Sequence, residues 1–158
     1  MKNLYLLRHA NTYPNTENDK ERILTPKGVK EIKSIAKHLP DSEINAVLCS
    51  PAIRTKQTLH HLEDFLGKNF YTEFKESLYN PSIEGFITTI KETPDHFINL
   101  LVVSHNSSTS EVANYLLKNT NISFGTANIA KIELNIDHWS QLEAGCGTLK
   151  WLIKPDLL

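Results

Sequence analysis

Asn3-Leu4-Tyr5-Leu6-Leu7 leads without a break into Arg8-His9. An apolar run this short reads as a buried strand, and the abrupt change to Arg and His marks its end as a place where polar groups are presented. The next element is of a different kind. Thr25-Pro26 combines a good N-cap with a residue suited to the first helical position, and Val29, Ile32, Ala36 and Leu39 then recur at helical spacing until Pro40. Ile44 to Cys49 is again apolar and β-branched. Ser50-Pro51 closes it, and a second helix follows through Leu59, Leu62 and Leu66 to Gly67.

The alternation continues. Ile83, Phe86, Ile87 and Ile90 mark a third helix ending near Pro94, and Ile98 to Val103 is the most strand-like segment of the chain, expected to be central. Ser104-His105-Asn106 comes directly after it. Ser108-Thr109-Ser110-Glu111 has the form of a capping box opening a fourth helix with Ala113, Leu116 and Leu117. Ala127 to Leu134 and Thr148 to Ile153 read as two closing strands. Strands alternating with helices predict a single-domain α/β fold over residues 1–158, three layers deep, with a mostly parallel central sheet and ligands bound beyond the C-terminal strand ends.

Composition narrows the function classes. The chain has 158 residues, 40% hydrophobic and 22% charged, as expected of one globular domain. Lys and Arg number 17 against 18 Asp and Glu, so no global basic field draws it to nucleic acid. The apolar run Leu4 to Leu7 is too short for a signal-peptide core, and no run approaches membrane-spanning length. The two cysteines, Cys49 and Cys146, cannot build a disulfide framework. A cytoplasmic protein without a membrane anchor is the expectation.

Three strand ends carry groups suited to phosphate: Arg8-His9 after the first, Arg54 just after the second, and His105 after the central one. Phosphoryl transfer depends on a positioned nucleophile and fixed positive charge around the transferring oxygens. Arginine supplies a rigid, permanently charged fork, and histidine can be neutral as a nucleophile or charged as a donor near physiological pH. The pattern alone leaves a plainer reading open, in which Arg8-His9 decorates the surface and His105 is a hydrogen-bonded structural residue.

Longer motifs add to this. Leu6-Leu7-Arg8-His9-Ala10, then Asp19-Lys20-Glu21-Arg22-Ile23-Leu24-Thr25 with Gly28, then Cys49-Ser50-Pro51-Ala52-Ile53-Arg54-Thr55-Lys56-Gln57-Thr58, then Val102-Val103-Ser104-His105-Asn106 stand in one order along the chain. That ordered set resembles the histidine phosphatase superfamily, which includes the cofactor-dependent phosphoglycerate mutases. The closing stretch with Thr126, Trp139 and Lys154-Pro155 is similar to its small bacterial phosphohistidine phosphatase branch, the SixA type. The resemblance implies a phosphoglycerate mutase-like fold, with His9 as nucleophile and Arg8, Arg54 and His105 completing a phosphate pocket. It further implies that Asn15 contacts phosphate and that no metal or other cofactor is needed. Ala10 and Ser104 depart from it, since the family has glycine at both.

Larger relatives carry an acidic proton donor between the second helix and the central strand. Here that region is short, and Glu73, Glu76 and Glu84 are its candidates, none in a convincing motif. Without an acid, alcohol leaving groups are disfavoured and a protonated imidazole is not. The expected substrate is therefore phosphohistidine on a partner protein such as a phosphotransfer domain. A small phosphate ester is the alternative, and a non-catalytic phosphate-recognition module the rival from another class. Two decoys are set aside. Cys49 and Arg54 have four residues between them rather than the five of cysteine phosphatases, and His60-His61 lacks a second ligand pair at zinc-site spacing.

Overall fold

A computed structural model of the chain describes residues 1–14, 17–39 and 43–157, with the side chain of Leu157 excepted. Six strands form one sheet in the order β3-β2-β4-β1-β5-β6. They are β1 (Lys2–Arg8), β2 (Ala46–Cys49), β3 (Thr72–Phe74), β4 (Asn99–Ser104), β5 (Ile129–Leu134) and β6 (Gly147–Ile153). The pairs β3–β2, β2–β4 and β4–β1 are parallel, while β5 runs antiparallel to both β1 and β6. The helices are α1 (Pro26–His38), α2 (Ile53–Leu66), α3 (Ile83–Lys91) and α4 (Ser108–Leu117).

The apolar run that opened the sequence is explained by this sheet. Successive side chains of β1 point to opposite faces, and both faces are covered. Leu4 and Leu6 join Leu100 and Val102 of β4 beneath Phe86 and Ile90 of α3 and Val112 and Leu116 of α4. Tyr5 and Leu7 join Leu101 and Val103 beneath Ile32 and Ile35 of α1 and Leu59 and Leu62 of α2. Each fully buried leucine contributes roughly 2 kcal/mol of transfer free energy, so β1 is an anchor for the polar residues that follow it.

Helix boundaries follow the sequence closely, with one correction. Thr25 caps α1 through its side chain, which accepts from Gly28 N, and Gly67 ends α2 in the left-handed conformation. Gly28 is required for a different reason: a Cβ there would lie 2.3 Å from the carbonyl oxygen of Asn11, so only glycine lets α1 seat against the segment after β1. The expected capping box at Ser108 does not form. Ser108 is already helical, and the Asn106 side chain instead accepts from Ser110 N at 3.1 Å. The short edge strand β3 was not anticipated, because Thr72-Glu73-Phe74 shows no apolar periodicity and is held by parallel pairing to β2. No helix among the described residues is long and apolar enough to cross a membrane.

Candidate active site

Because β2, β4 and β1 are adjacent and parallel, their C-terminal ends open on one edge of the sheet. His9 follows β1 and its backbone N–H donates to Ser104 O at 3.0 Å, while Ser50 N donates to Val103 O at 3.1 Å. His105 follows β4, and Arg54 stands in the first turn of α2. Arg8, His9, Arg54 and His105 thus share one cleft of about 450 Å³ with Asn11, Asp19 and Thr126. The His9 and His105 ring centroids are 5.5 Å apart. Asn15 lies outside the described residues.

The Arg54-x-x-Gln57-Thr58 spacing acquires a physical meaning here. Arg54 points into the cleft from one turn of α2. Gln57 Oε1 accepts from Leu24 N at 2.9 Å and so fastens the loop that carries Asp19. Thr58 Oγ1 accepts from Ala10 N at 3.0 Å and donates to Arg54 O at 2.7 Å, tying the end of β1 to the helix. One helical face therefore aligns three pieces of the cleft.

The tautomer of His9 follows from its neighbour. A carbonyl oxygen can only accept, so at 2.8 Å from Ala10 O the Nδ1 atom carries the proton and Nε2 keeps its lone pair. Burial pushes the His9 pKa down to about 4, Arg54, Arg8 and Arg22 push the same way, and the bond to Ala10 opposes them. The ring is neutral at physiological pH, the state a nucleophile needs. His105 is depressed to about 3, first by burial and then by Arg54. Its Nε2 lies 2.7 Å from Ser50 Oγ. Among the described residues, the buried side-chain nitrogens without a partner include Arg8 Nε, Arg54 Nε and His105 Nδ1. Unpaired buried polar groups cost about 1–3 kcal/mol each, and these gather beside one cleft where an anion would satisfy them.

A profile of the histidine phosphatase superfamily (branch 1) matches residues 4–80. The uncharacterized protein Rv1276c of Mycobacterium tuberculosis (strain ATCC 25618 / H37Rv) is 32% identical over 158 residues, covering 90% of this chain and 96% of that protein. The chain belongs to the histidine phosphatase superfamily. It is also 28% identical over 157 residues to the phosphohistidine phosphatase SixA of Escherichia coli (strain K12), covering 96% of this chain and 93% of SixA. The solved structure of the protein histidine phosphatase SixA complexed with tungstate matches with a TM-score of 0.85 at 26% identity, over 98% of each chain. These likenesses identify the SixA-type branch, and membership of the superfamily implies phosphatase activity.

The fold accommodates both departures from the family pattern. Ala10 is fully buried, and the buried Ser104 hydroxyl pairs with Thr109 Oγ1 at 2.8 Å. Sequence reasoning missed three groups at the cleft: Ser50 behind His105, Tyr79, and above all Asp19. The Asp19 carbonyl and carboxylate accept from Arg54 Nη1 at 2.7 Å and Nη2 at 3.0 Å, and Tyr79 Oη donates to its Oδ2 at 2.5 Å. The bond from Tyr79, followed by those from Arg54 and Arg22, holds Asp19 down to about 2. The Asp19-x-x-Arg22 spacing was the available signal, since it places a carboxylate and a cation on one tight turn.

The decoys resolve in the same structure. Burial raises the Cys49 thiol to about 12, which makes it a packing group and not a nucleophile. His60 is exposed and pairs with Asp64 one turn along α2. Of the three candidate acids, Glu73 lies near Lys75, Glu76 pairs with Lys20, and Glu84 borders a separate hollow on α3; none lines the cleft.

The two depressed histidines make stability depend on pH. An unfolded histidine takes up a proton near 6.5, whereas His9 and His105 resist protonation until about 4 and 3. As pH falls through that window the unfolded chain binds more protons, so stability is lost, on the order of a few kcal/mol in all. The denaturation midpoint is therefore expected to fall between pH 7 and 5 in phosphate-free buffer, and to fall less in His105→Asn. A midpoint that is flat over this range would contradict the buried neutral pair.

Proposed function

We propose that the chain hydrolyses phosphohistidine on a partner protein, without metal, through a phosphoryl group held transiently on His9. Arg8, Arg54 and His105 bind the phosphoryl oxygens. Neutral His9 Nε2 attacks phosphorus in line, the substrate imidazole leaves, and water then releases phosphate from His9. During the second step the Nδ1–H bond to Ala10 O supports the His9 ring as leaving group.

The observation that carries the substrate class is the state of Asp19. Among the described residues it is the only Asp or Glu lining the cleft, and it is held as a carboxylate by Tyr79, Arg54 and Arg22. A carboxylate of that kind has no proton to give an alkoxide. An imidazole protonated on its far nitrogen needs none. The likeness to the protein histidine phosphatase SixA supports the same reading.

The test is a comparison of kcat/KM on a histidine-phosphorylated phosphotransfer domain and on a panel of sugar phosphates and phosphoglycerates, each with and without EDTA. Phosphohistidine is expected to be preferred by at least about tenfold, with no effect of the chelator. Faster hydrolysis of a small ester would make the chain a phosphomonoesterase, loss of activity with EDTA would refute metal independence, and no turnover on any substrate would favour a phosphate-recognition module.

A further inference from the structure

Beside the phosphate cleft lies a second hollow of about 260 Å³, walled by Tyr79, Asn80 and Pro81. Asp19, Arg54, His105 and Asn106 border both hollows, so they form the partition across which a phosphoryl group and its leaving group would be divided. The Tyr79 ring stands edge-on to His105, with centroids 5.6 Å apart and planes at 88°. It presents an aromatic wall to the hollow, and its hydroxyl is fixed on Asp19 Oδ2.

We infer that this second hollow is the leaving-group subsite, in which Asp19 accepts a hydrogen bond from the far ring N–H of the departing imidazole and Tyr79 walls its exit. The inference rests on the phosphohistidine reading above. A carboxylate offers about four lone-pair positions. Among the described residues, Oδ2 is used by Arg54 and Tyr79, while Oδ1 receives a long contact of 3.4 Å from Arg22. That oxygen has capacity for another donor. The loop carrying it is fastened to α2 by Gln57, so the acceptor is in place before substrate arrives.

The step balances without moving a proton to or from Asp19. His9 Nε2 supplies its lone pair to phosphorus, and the bond between phosphorus and the substrate ring nitrogen breaks with its electron pair returning to that ring. The far nitrogen keeps its proton, so the leaving group departs as neutral imidazole and Asp19 stays a carboxylate. By accepting from that N–H, Asp19 favours the protonated phosphohistidine from which the bond breaks readily. An ester leaves as an anion, has no N–H to offer, and meets the same carboxylate as a repulsive neighbour. Asp19 is thus a specificity-determining residue.

The charged and titratable groups around Asp19 are Arg22 on its own loop, Arg54 from α2, Tyr79 and His105 across the hollow, and the Lys20–Glu76 pair on the outer side. Asp19→Asn keeps the volume and removes the charge. On a histidine-phosphorylated phosphotransfer domain it is expected to lower kcat/KM by roughly 10- to 100-fold, with the alkaline limb of kcat moving down by about one pH unit as the bound imidazole loses its anionic partner. On p-nitrophenyl phosphate the loss is smaller, so the ratio of the two activities falls at least about tenfold. Tyr79→Phe removes a donor that holds the Asp19 carboxylate and leaves it a stronger acceptor, so the alkaline limb should instead move up, and this opposite shift carries the test should Asp19→Asn fail to fold. Equal losses on both substrates with an unmoved alkaline limb would show that Asp19 only positions Arg54, and would overturn the inference while leaving the proposed function standing. A wild-type protein inactive on phosphohistidine would sink both.

Discussion

His9→Ala is expected to lower phosphate release by roughly four orders of magnitude or more, the scale of losing a nucleophile on which a covalent intermediate depends. The substitution removes a ring that is 7% exposed at the end of a strand, where the β1 backbone remains held by Ser104 and by Thr58 through Ala10. The fold should therefore survive, which circular dichroism and the denaturation midpoint would check. His105 cannot take over. Its Nε2 is engaged by Ser50 Oγ, and the proposed mechanism uses its Nδ1 as a donor to the phosphoryl oxygens. Capture of the phosphorylated protein from labelled phosphohistidine substrate should be lost in parallel with the rate. Activity near the wild-type level in the alanine variant would remove His9 from the mechanism.

Arg54→Ala is expected to lower kcat/KM by about two to three orders of magnitude, as when one preorganised stabiliser of transition-state charge is removed. Arg8→Ala should behave alike. Arg54 adds a second cost, because it also holds the Asp19 carbonyl and carboxylate, so its loss would free an anion beside the phosphate cleft. For that reason Arg54→Lys should rescue only part of the activity: a point charge cannot span both oxygens of Asp19 and still direct a nitrogen into the cleft. Steady-state rates and tungstate affinity measured together would separate binding from chemistry. An arginine whose removal changed neither would not belong to the site.

How much of this was legible beforehand differs by element. The order of strands and helices was readable, because β1 and β4 are short apolar runs and α1 and α2 carry apolar residues at helical spacing with boundary residues such as Thr25 and Gly67. β3 was not, since Thr72 to Phe74 is a strand only through pairing with β2. The cap of α4 was misread by two residues because Asn106, anchored on Phe124 O, supplies the acceptor that Ser108 was expected to supply.

The candidate site divides along the same line. The sequence singled out the candidates for phosphate: Arg8, His9, Arg54 and His105 stand directly after apolar strands or in the first turn of a helix, and the resemblance of the motifs that contain them, not local pattern alone, favoured a phosphate site over surface decoration. What the chain could not disclose was every partnership formed across sequence distance. Ser50 meets His105, Glu31 takes up Asn11 N and Thr126, and Tyr79 meets Asp19, each pair brought together by sheet order and not by spacing. Of these, the bond from Tyr79 holds Asp19 as a carboxylate, while burial and Arg54 keep His105 neutral. Whether a histidine is neutral or a carboxylate stays charged depends on burial and on the dipoles within a few ångströms, and both are properties of the packed structure alone.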